Sequence, residues 1–195
     1  GTDLRIELPK GHIWMGGAEK SAAGTVFAAN LPTEEVYTLP KRDGVNGTVV
    51  ASKPLHYNGN LISGFTLRFH EGKVVEYKAQ QGEEHLKELL CTDEGASFLG
   101  EAALVPHDSP ISKSGILFYN TLFDENASCH LALGKAYPTC IENGEDMTED
   151  ELRQHGVNHS IVHEDFMIGT ADLTVIGQKP SGESVVIMEN GNFSF

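Results

Sequence analysis

The chain has 195 residues, of which 39% are hydrophobic and 22% charged, a composition typical of a globular protein. Acidic residues outnumber Lys and Arg by 28 to 14, which gives a formal net charge of −14. Because no basic stripe is present to neutralise phosphates, this balance argues against nucleic acid as a partner. No apolar run approaches the roughly 20 residues that a membrane-spanning helix requires, so we expect no membrane segment.

The cysteine content indicates a reducing environment. Cys91, Cys129 and Cys140 are odd in number and form no CxxC pair, so a cytoplasmic protein without disulfides is predicted. Four N-x-[ST] sequons, including the one at Asn158, are interpreted as chance matches. The chain enters a strand-like pattern directly after Gly1, as expected for a piece of a longer polypeptide.

Alternating apolar and polar residues, punctuated by Gly and Pro, predict short strands throughout the first 79 residues. The first predicted helix covers 82–93, where Leu86, Leu89 and Leu90 form an apolar stripe. Further strands are predicted within 100–106 and 128–134, whereas periodicity leaves 115–127 undecided. A second helix is predicted within 147–156 by a Thr148/Glu151 capping box, and three strands follow it. The predicted fold class is α+β, a single domain of mixed or antiparallel sheet with a few short helices.

The late segment "HSIVHEDFMIG" places imidazoles and carboxylates inside a strongly β-forming run. Because residues i and i+2 of a strand share a face, His163 and Asp165 should project together while Glu164 faces away. Burying such a pair is costly unless something compensates it, and a divalent metal is one solution. A solvated pair on a surface strand is the alternative for this motif taken alone.

Other segments supply matching ligands. Glu125 precedes a strand that begins near His130, and Glu101 and Glu35 lie beside apolar strand residues. Cys129 should point away from His130, which favours a core position over a Cys–His nucleophilic pair. With His163 and Asp165, these acids and histidines give four negative charges that two divalent cations would balance, and the absence of thiolates favours a catalytic site over structural zinc.

The segments "PTEEV", "GEAALVPHDSPIS", "LFDENASCHLALGKAYP" and "HSIVHEDFMIG" resemble the motifs of the M29 metallo-aminopeptidases, the aminopeptidase T, aminopeptidase S and PepS type. The resemblance extends over essentially the whole chain. It implies two divalent ions (zinc, cobalt, manganese or magnesium) surrounded by Glu35, Glu101, Glu125, His130, His163 and Asp165. It also implies that Tyr137 lies beside the ions and helps to hold an oxyanion. Glu34 stays open as an alternative to the adjacent Glu35.

The resemblance further implies an enzyme that removes N-terminal amino acids from peptides with a free N-terminus, and a homodimer at full length. We predict that Glu101 is the general base as well as a ligand. Family members carry an additional N-terminal α/β domain, so residues 1–195 are expected to be the C-terminal catalytic domain. Two alternatives remain: a metal-binding or dimerisation domain that is inactive without its other half, and a metal-dependent hydrolase of esters or other amides.

Overall fold

The computed structural model describes residues 1–28 and 35–195 of the chain. In chain order the strands are β1 (Asp3–Ile6), β2 (Met15–Gly16), β3 (Glu19–Lys20), β4 (Val26–Phe27), β5 (Val36–Thr38), β6 (Val45–Val50), β7 (Leu55–Tyr57), β8 (Asn60–Ile62), β9 (Thr66–His70), β10 (Lys73–Lys78), β11 (Leu99–Leu104), β12 (His130–Gly134), β13 (His163–Met167), β14 (Val175–Gln178), β15 (Ser184–Glu189) and β16 (Asn192–Phe193). The α-helices are α1 (Glu83–Leu90), α2 (Pro110–Ser114), α3 (Thr121–Asp124) and α4 (Glu149–Gln154), and short 3₁₀ turns cover Gly95–Ser97, Glu125–Ala127, Pro138–Cys140 and Gly144–Asp146. The predicted α+β class, dominated by antiparallel sheet, is confirmed.

Two antiparallel sheets form the centre of the domain. One contains four strands in the order β1-β6-β9-β10, and the other contains five in the order β13-β12-β11-β5-β2. Within the five-stranded sheet, Leu131 and Leu133 of β12 and Phe166 of β13 project toward the main hydrophobic core. That core also includes Leu67 and Phe69 of the four-stranded sheet. The five-stranded sheet therefore buries one face in the core and leaves the other face available for polar residues.

The helices follow the signals in the sequence. In α1 the residues Leu86, Leu89 and Leu90 are buried, as the predicted stripe requires. The α4 capping box is present, because Thr148 accepts a hydrogen bond from the Glu151 N–H while the Glu151 carboxylate accepts one from Thr148 N at 2.7 Å. Both predicted helices are confirmed.

Helix α2 was not predicted. The Ser109 hydroxyl accepts a hydrogen bond from Ser112 N at 3.1 Å, and Pro110 occupies the first turn. A serine followed by proline is a known start signal for a helix, so the sequence contained the information for this turn.

A smaller hydrophobic cluster lies beside the β5 end of the five-stranded sheet. Leu39, Ala136, Cys140, Ile141 and Val157 form it. Tyr37 and Met15, which pair with each other across β5 and β2, pack against it. The segment 136–157 is thereby anchored on the sheet face opposite the main core. In the described ranges, no helix has both the length and the apolar character needed to cross a bilayer.

Candidate metal centre

The register of three adjacent strands brings the predicted ligands to one face of the five-stranded sheet. Ala132 of β12 lies directly opposite Glu101 of β11 on one side and Asp165 of β13 on the other. Directly opposed residues share a face, as do every second residues along a strand. Glu101, His130, His163 and Asp165 therefore all project from the face that points away from the main core. Ala132 is completely buried beneath them, and its short side chain leaves space between the two carboxylates.

A bulge in β11 aims Glu101 at this face. The pairing of β11 with β12 shifts between Leu99 and Glu101, and Gly100 is the residue left over. Without the shift, strict alternation would have placed Glu101 and Leu99 on the same face. Instead Leu99 is buried in the main core and Glu101 belongs to the polar cluster.

Three further residues reach the cluster from outside its central strands. Glu35 immediately precedes β5, and Glu125 begins the 3₁₀ turn that leads into β12. Tyr137 follows β12, and its ring centroid lies 4.6 Å from that of His163. All seven predicted site residues thus lie in one region. Glu34, the alternative to Glu35, lies outside the described residues.

The imidazoles of the cluster lie beside its carboxylates. Nε2 of His130 lies 3.1 Å from Oε1 of Glu35 and 3.4 Å from Oε1 of Glu101. Nε2 of His163 lies 3.7 Å from Oε2 of Glu101 and 3.5 Å from Oδ1 of Asp165. The two oxygens of Glu101 thus face different imidazoles. The side chains of His130 and Glu101 are only 1% and 7% exposed, so these contacts are formed away from bulk water.

Both imidazoles are oriented by backbone carbonyls. Nδ1 of His130 lies 3.1 Å from the Ser128 carbonyl oxygen, and Nδ1 of His163 lies 2.7 Å from that of Lys135. Because a carbonyl oxygen only accepts hydrogen bonds, Nδ1 must carry the proton in each ring. The Nε2 atoms are then the ones that face the carboxylates. This is the arrangement found in most metal-binding histidines.

The electrostatics show a cluster that needs positive charge. Burial, followed by repulsion from Asp165, raises the pKa of Glu125 to about 8. Burial acts to lower the pKa of His163, but its contact with Asp165 outweighs this and raises that pKa to about 9. Hydrogen bonds to Glu101 and Glu35 likewise overcome burial and raise the pKa of His130. Protons thus supply the positive charge that the gathered carboxylates require.

The donor set fits divalent cations. Among residues 1–28 and 35–195, ligand atoms lie within 4.8 Å of one another in three groups, namely Glu35/Glu101/His130, Glu101/His163/Asp165 and Glu125/His130/Asp165. Oδ1 of Asp165 is buried and makes no hydrogen bond of normal geometry to any residue in the described part of the chain. A buried carboxylate oxygen with only the 3.5 Å contact to His163 is poorly satisfied, and a cation would satisfy it. Oxygen and imidazole ligands without thiolate suit catalytic zinc, cobalt or manganese.

Several features were correctly anticipated and others were missed. Cys129 is buried, with Sγ 3.4 Å from the Val105 carbonyl oxygen and 3.5 Å from Met188 Sδ, so its predicted core position is confirmed. The Gly100 bulge and the role of Ala132 were missed, because register is not visible in one sequence. The two histidines are oriented by backbone carbonyl groups, which every residue has, so the sequence could not indicate them.

Comparisons with known proteins identify the family. The sequence profile of the family described as thermophilic metalloprotease (M29) matches residues 1–193. The chain is 58% identical to aminopeptidase 2 of Geobacillus stearothermophilus and 55% identical to aminopeptidase AmpS of Bacillus subtilis strain 168. Both alignments include 100% of this chain, but only 47% and 48% of those proteins, so the chain spans about half the length of these relatives.

A solved structure gives the same result. Wild-type AmpT from Thermus thermophilus superposes with a TM-score of 0.93 at 47% identity, over 100% of this chain and 48% of that one. Because the superposition covers the whole of this chain, the agreement in backbone fold includes both central sheets. The chain belongs to the thermophilic metalloprotease (M29) family.

Proposed function

We propose that the chain is the catalytic, metal-binding part of an aminopeptidase that removes N-terminal amino acids from peptides with two divalent ions. The observation that carries the proposal is the convergence of four acids and two imidazoles on one sheet face, in groups whose ligand atoms lie within 4.8 Å. The relatives are named aminopeptidases and are about twice as long. We assign residues 1–195 to the C-terminal catalytic domain of such an enzyme.

The ligand groups suggest how the ions would be held. One ion would be bound by Glu35, Glu101 and His130, and the other by Glu101, His163 and Asp165. Glu101 belongs to both groups, so it could serve either ion. Glu125 would complete the set near His130 and Asp165. When bound, such an ion pair supplies Lewis acidity and lowers the pKa of a coordinated water.

The protein's own groups would handle the protons. A carboxylate that the ions do not fully engage would take a proton from the attacking water and deliver it to the leaving amine, and we propose Glu101 for this role. Glu125, with a pKa of about 8, is the second candidate for this role. The Tyr137 hydroxyl would donate a hydrogen bond to the oxyanion that develops on the scissile carbonyl. Burial and the nearby carboxylates raise the pKa of Tyr137 to about 12, which keeps it a donor at neutral pH.

The preference for a free α-amino group would come from the bound ions. An ion in the site would offer a place for the neutral α-amino nitrogen of a peptide, which an acetylated N-terminus cannot take. We propose peptides with a free N-terminus as substrates, and a cytoplasmic homodimer as the full-length form. Zinc, cobalt, manganese and magnesium are the candidate ions.

The test is hydrolysis of an aminoacyl-p-nitroanilide by the full-length enzyme after chelation and after return of each metal. N-acetylated substrate is the matched control. We expect activity to disappear with chelator, to return with metal, and to require the free amine. Activity that survives complete chelation contradicts the metal mechanism.

Two alternatives are separated by the same measurements. If the 195 residues bind two ions but cleave no peptide, while the full-length enzyme does, the chain is a metal-binding or dimerisation domain that needs its other half. If acetylated amides or esters are cleaved as well as free amines, the site is a more general hydrolase.

A further inference from the structure

We propose that Asn158 is a positioning residue for the metal centre. Its buried side chain holds the connection Gly134–Ala136 so that the Lys135 carbonyl orients His163. This inference rests on the proposed function, because it treats His163 as a ligand. Asn158 itself contacts no predicted ligand and would act only through the backbone of this connection.

Asn158 binds the connection on both sides of Lys135. Its Nδ2 donates a hydrogen bond to the Gly134 carbonyl oxygen at 2.6 Å, and its main-chain carbonyl oxygen accepts one from Ala136 N at 3.0 Å. A second Nδ2 hydrogen bond reaches the Gly95 carbonyl oxygen at 2.9 Å. The two bonds to residues 134 and 136 restrict the peptide groups that flank Lys135.

The other end of the Asn158 side chain is also fixed. Oδ1 accepts a hydrogen bond from Nε of Arg42 at 3.1 Å. The Arg42 guanidinium lies 3.9 Å above the centre of the Phe98 ring and pairs with Glu94 at 2.8 Å. Asn158 is only 1% exposed, so its side-chain amide makes its hydrogen bonds with protein groups and not with bulk water. A buried amide with both donors and its acceptor engaged is a rigid link.

The connection transmits this rigidity to the site. The Lys135 carbonyl oxygen lies 2.7 Å from Nδ1 of His163, and Lys135 N donates to the Val162 carbonyl oxygen at 2.7 Å. The bond to Nδ1 keeps the proton there and directs Nε2 toward Glu101 and Asp165. Tyr137 follows the same connection directly, so its position beside His163 depends on it too.

Gly100 supports the same carbonyl from the other side. A Cβ atom on residue 100 would lie 2.2 Å from the Lys135 carbonyl oxygen and 2.5 Å from that of Gly134. Any side chain there would push the two carbonyls away. The Lys135 carbonyl is therefore confined between Gly100 and the bonds made by Asn158.

The main variant is Asn158→Asp, which has nearly the same shape and keeps the oxygen that faces Arg42 but removes both Nδ2 donors. Gly100→Ala is the second variant, because it displaces the same carbonyl without altering Asn158. Since residue 100 also sets the direction of Glu101, only the His163 signal is compared for this variant. Thr38→Val is the control. Thr38 is completely buried and donates one hydrogen bond, at 2.8 Å to the Ile13 carbonyl oxygen, so its loss removes a buried bond that does not involve residues 134–136.

Two measurements on the 195-residue chain test the proposal. Calorimetric titration with zinc or cobalt alone gives the number and affinity of the ions. NMR of the metal-free, ¹⁵N-histidine-labelled chain follows the His163 Nδ1–H signal. We expect Asn158→Asp to weaken the binding of one ion by about 10- to 100-fold, and we expect both variants to speed exchange of the His163 Nδ1 proton with water. The Thr38→Val chain should match the wild type in both measurements.

The outcomes separate this inference from the proposed function. The positioning role is overturned if the wild type has no protected Nδ1 proton at His163. It is also overturned if Asn158→Asp leaves ion binding and the His163 signal unchanged, or if Gly100→Ala leaves that signal unchanged. Equal weakening by Thr38→Val also overturns it, because the effect is then general. If the wild type binds no ion but the NMR signal responds as expected, the proposed function fails while the link from Asn158 to His163 stands.

Discussion

Oε2 of Glu101 lies 3.7 Å from Nε2 of His163, while the other oxygen of the same carboxylate faces His130 at 3.4 Å. One side chain therefore connects the two imidazoles. The bulge at Gly100 makes this possible, because it turns Glu101 away from the core face on which Leu99 lies.

Glu101→Gln tests whether this carboxylate is both ligand and base. The amide keeps the shape but removes the charge and one acceptor oxygen. We expect a loss of at least one bound ion and a fall in kcat of about 100-fold or more. Elemental analysis of the dialysed protein and a peptidase assay of the full-length enzyme measure the two effects. Retention of both ions with low activity would limit Glu101 to the role of base. Glu183→Gln, at an exposed pair with Lys179, is the control.

Ala132→Val tests the space between the carboxylates. Valine suits a strand, so a moderate change in stability is expected, but its methyl groups would enter the gap between Glu101 and Asp165. We expect ion affinity to fall at least about tenfold, a loss of the size that displaced ligand contacts produce. Ala102→Val adds the same methyl groups on the opposite face and is the control. Equal ion binding by both variants would show that the gap is not used.

Tyr137→Phe tests the proposed oxyanion donor. The phenyl ring can keep its place beside His163, so both ions should remain bound. Loss of the hydroxyl should lower kcat by about 100-fold or more with little change in KM. Steady-state kinetics of the full-length variant measure this split. A change confined to KM would instead indicate a role in substrate binding.

Metal binding should release protons at neutral pH. A ligand histidine must be neutral at Nε2 and a ligand carboxylate ionised, yet the metal-free pKa values are about 9 for His163 and about 8 for Glu125. Ion affinity should therefore rise with pH from 6 to 9. Titrations at pH 7 in buffers of different ionisation enthalpy count the protons, and we expect more than one per chain. An affinity that does not change over this range contradicts the ligand assignment.

The same shifts predict a stability change in the metal-free chain. The folded-state pKa of His163 is raised, so its contribution is complete below about pH 6.5 and is lost as the pH rises through 9. Glu125 acts in the same direction. Because its folded-state pKa is raised, the stability of the chain falls as the pH rises from about 4.5 to about 8 and does not recover above that. We expect Tm of the chelated chain to fall between pH 6.5 and 9, and saturating zinc to remove most of the fall. A Tm that rises over this interval with chelator present would contradict the shifts.

Local sequence patterns were enough to predict the alternation of the strands and the residue types of the site. Period-two patterning predicted that His163 and Asp165 share a face and that Cys129 lies in the core, because successive side chains of a strand point to opposite faces. The capping box and the leucine stripe predicted α4 and α1 for the same reason: both signals act within a few residues of chain.

The choice of neighbouring strands and the register in which they pair became visible only in the folded chain. Those long-range pairings set Ala132 between Glu101 and Asp165, shift β11 by one residue at Gly100, and bring the Lys135 carbonyl to His163. Each relationship joins residues that are distant in sequence and depends on backbone hydrogen bonds that any residue type can make. Local sequence patterns therefore could not reveal them, even where they identified the ligands correctly.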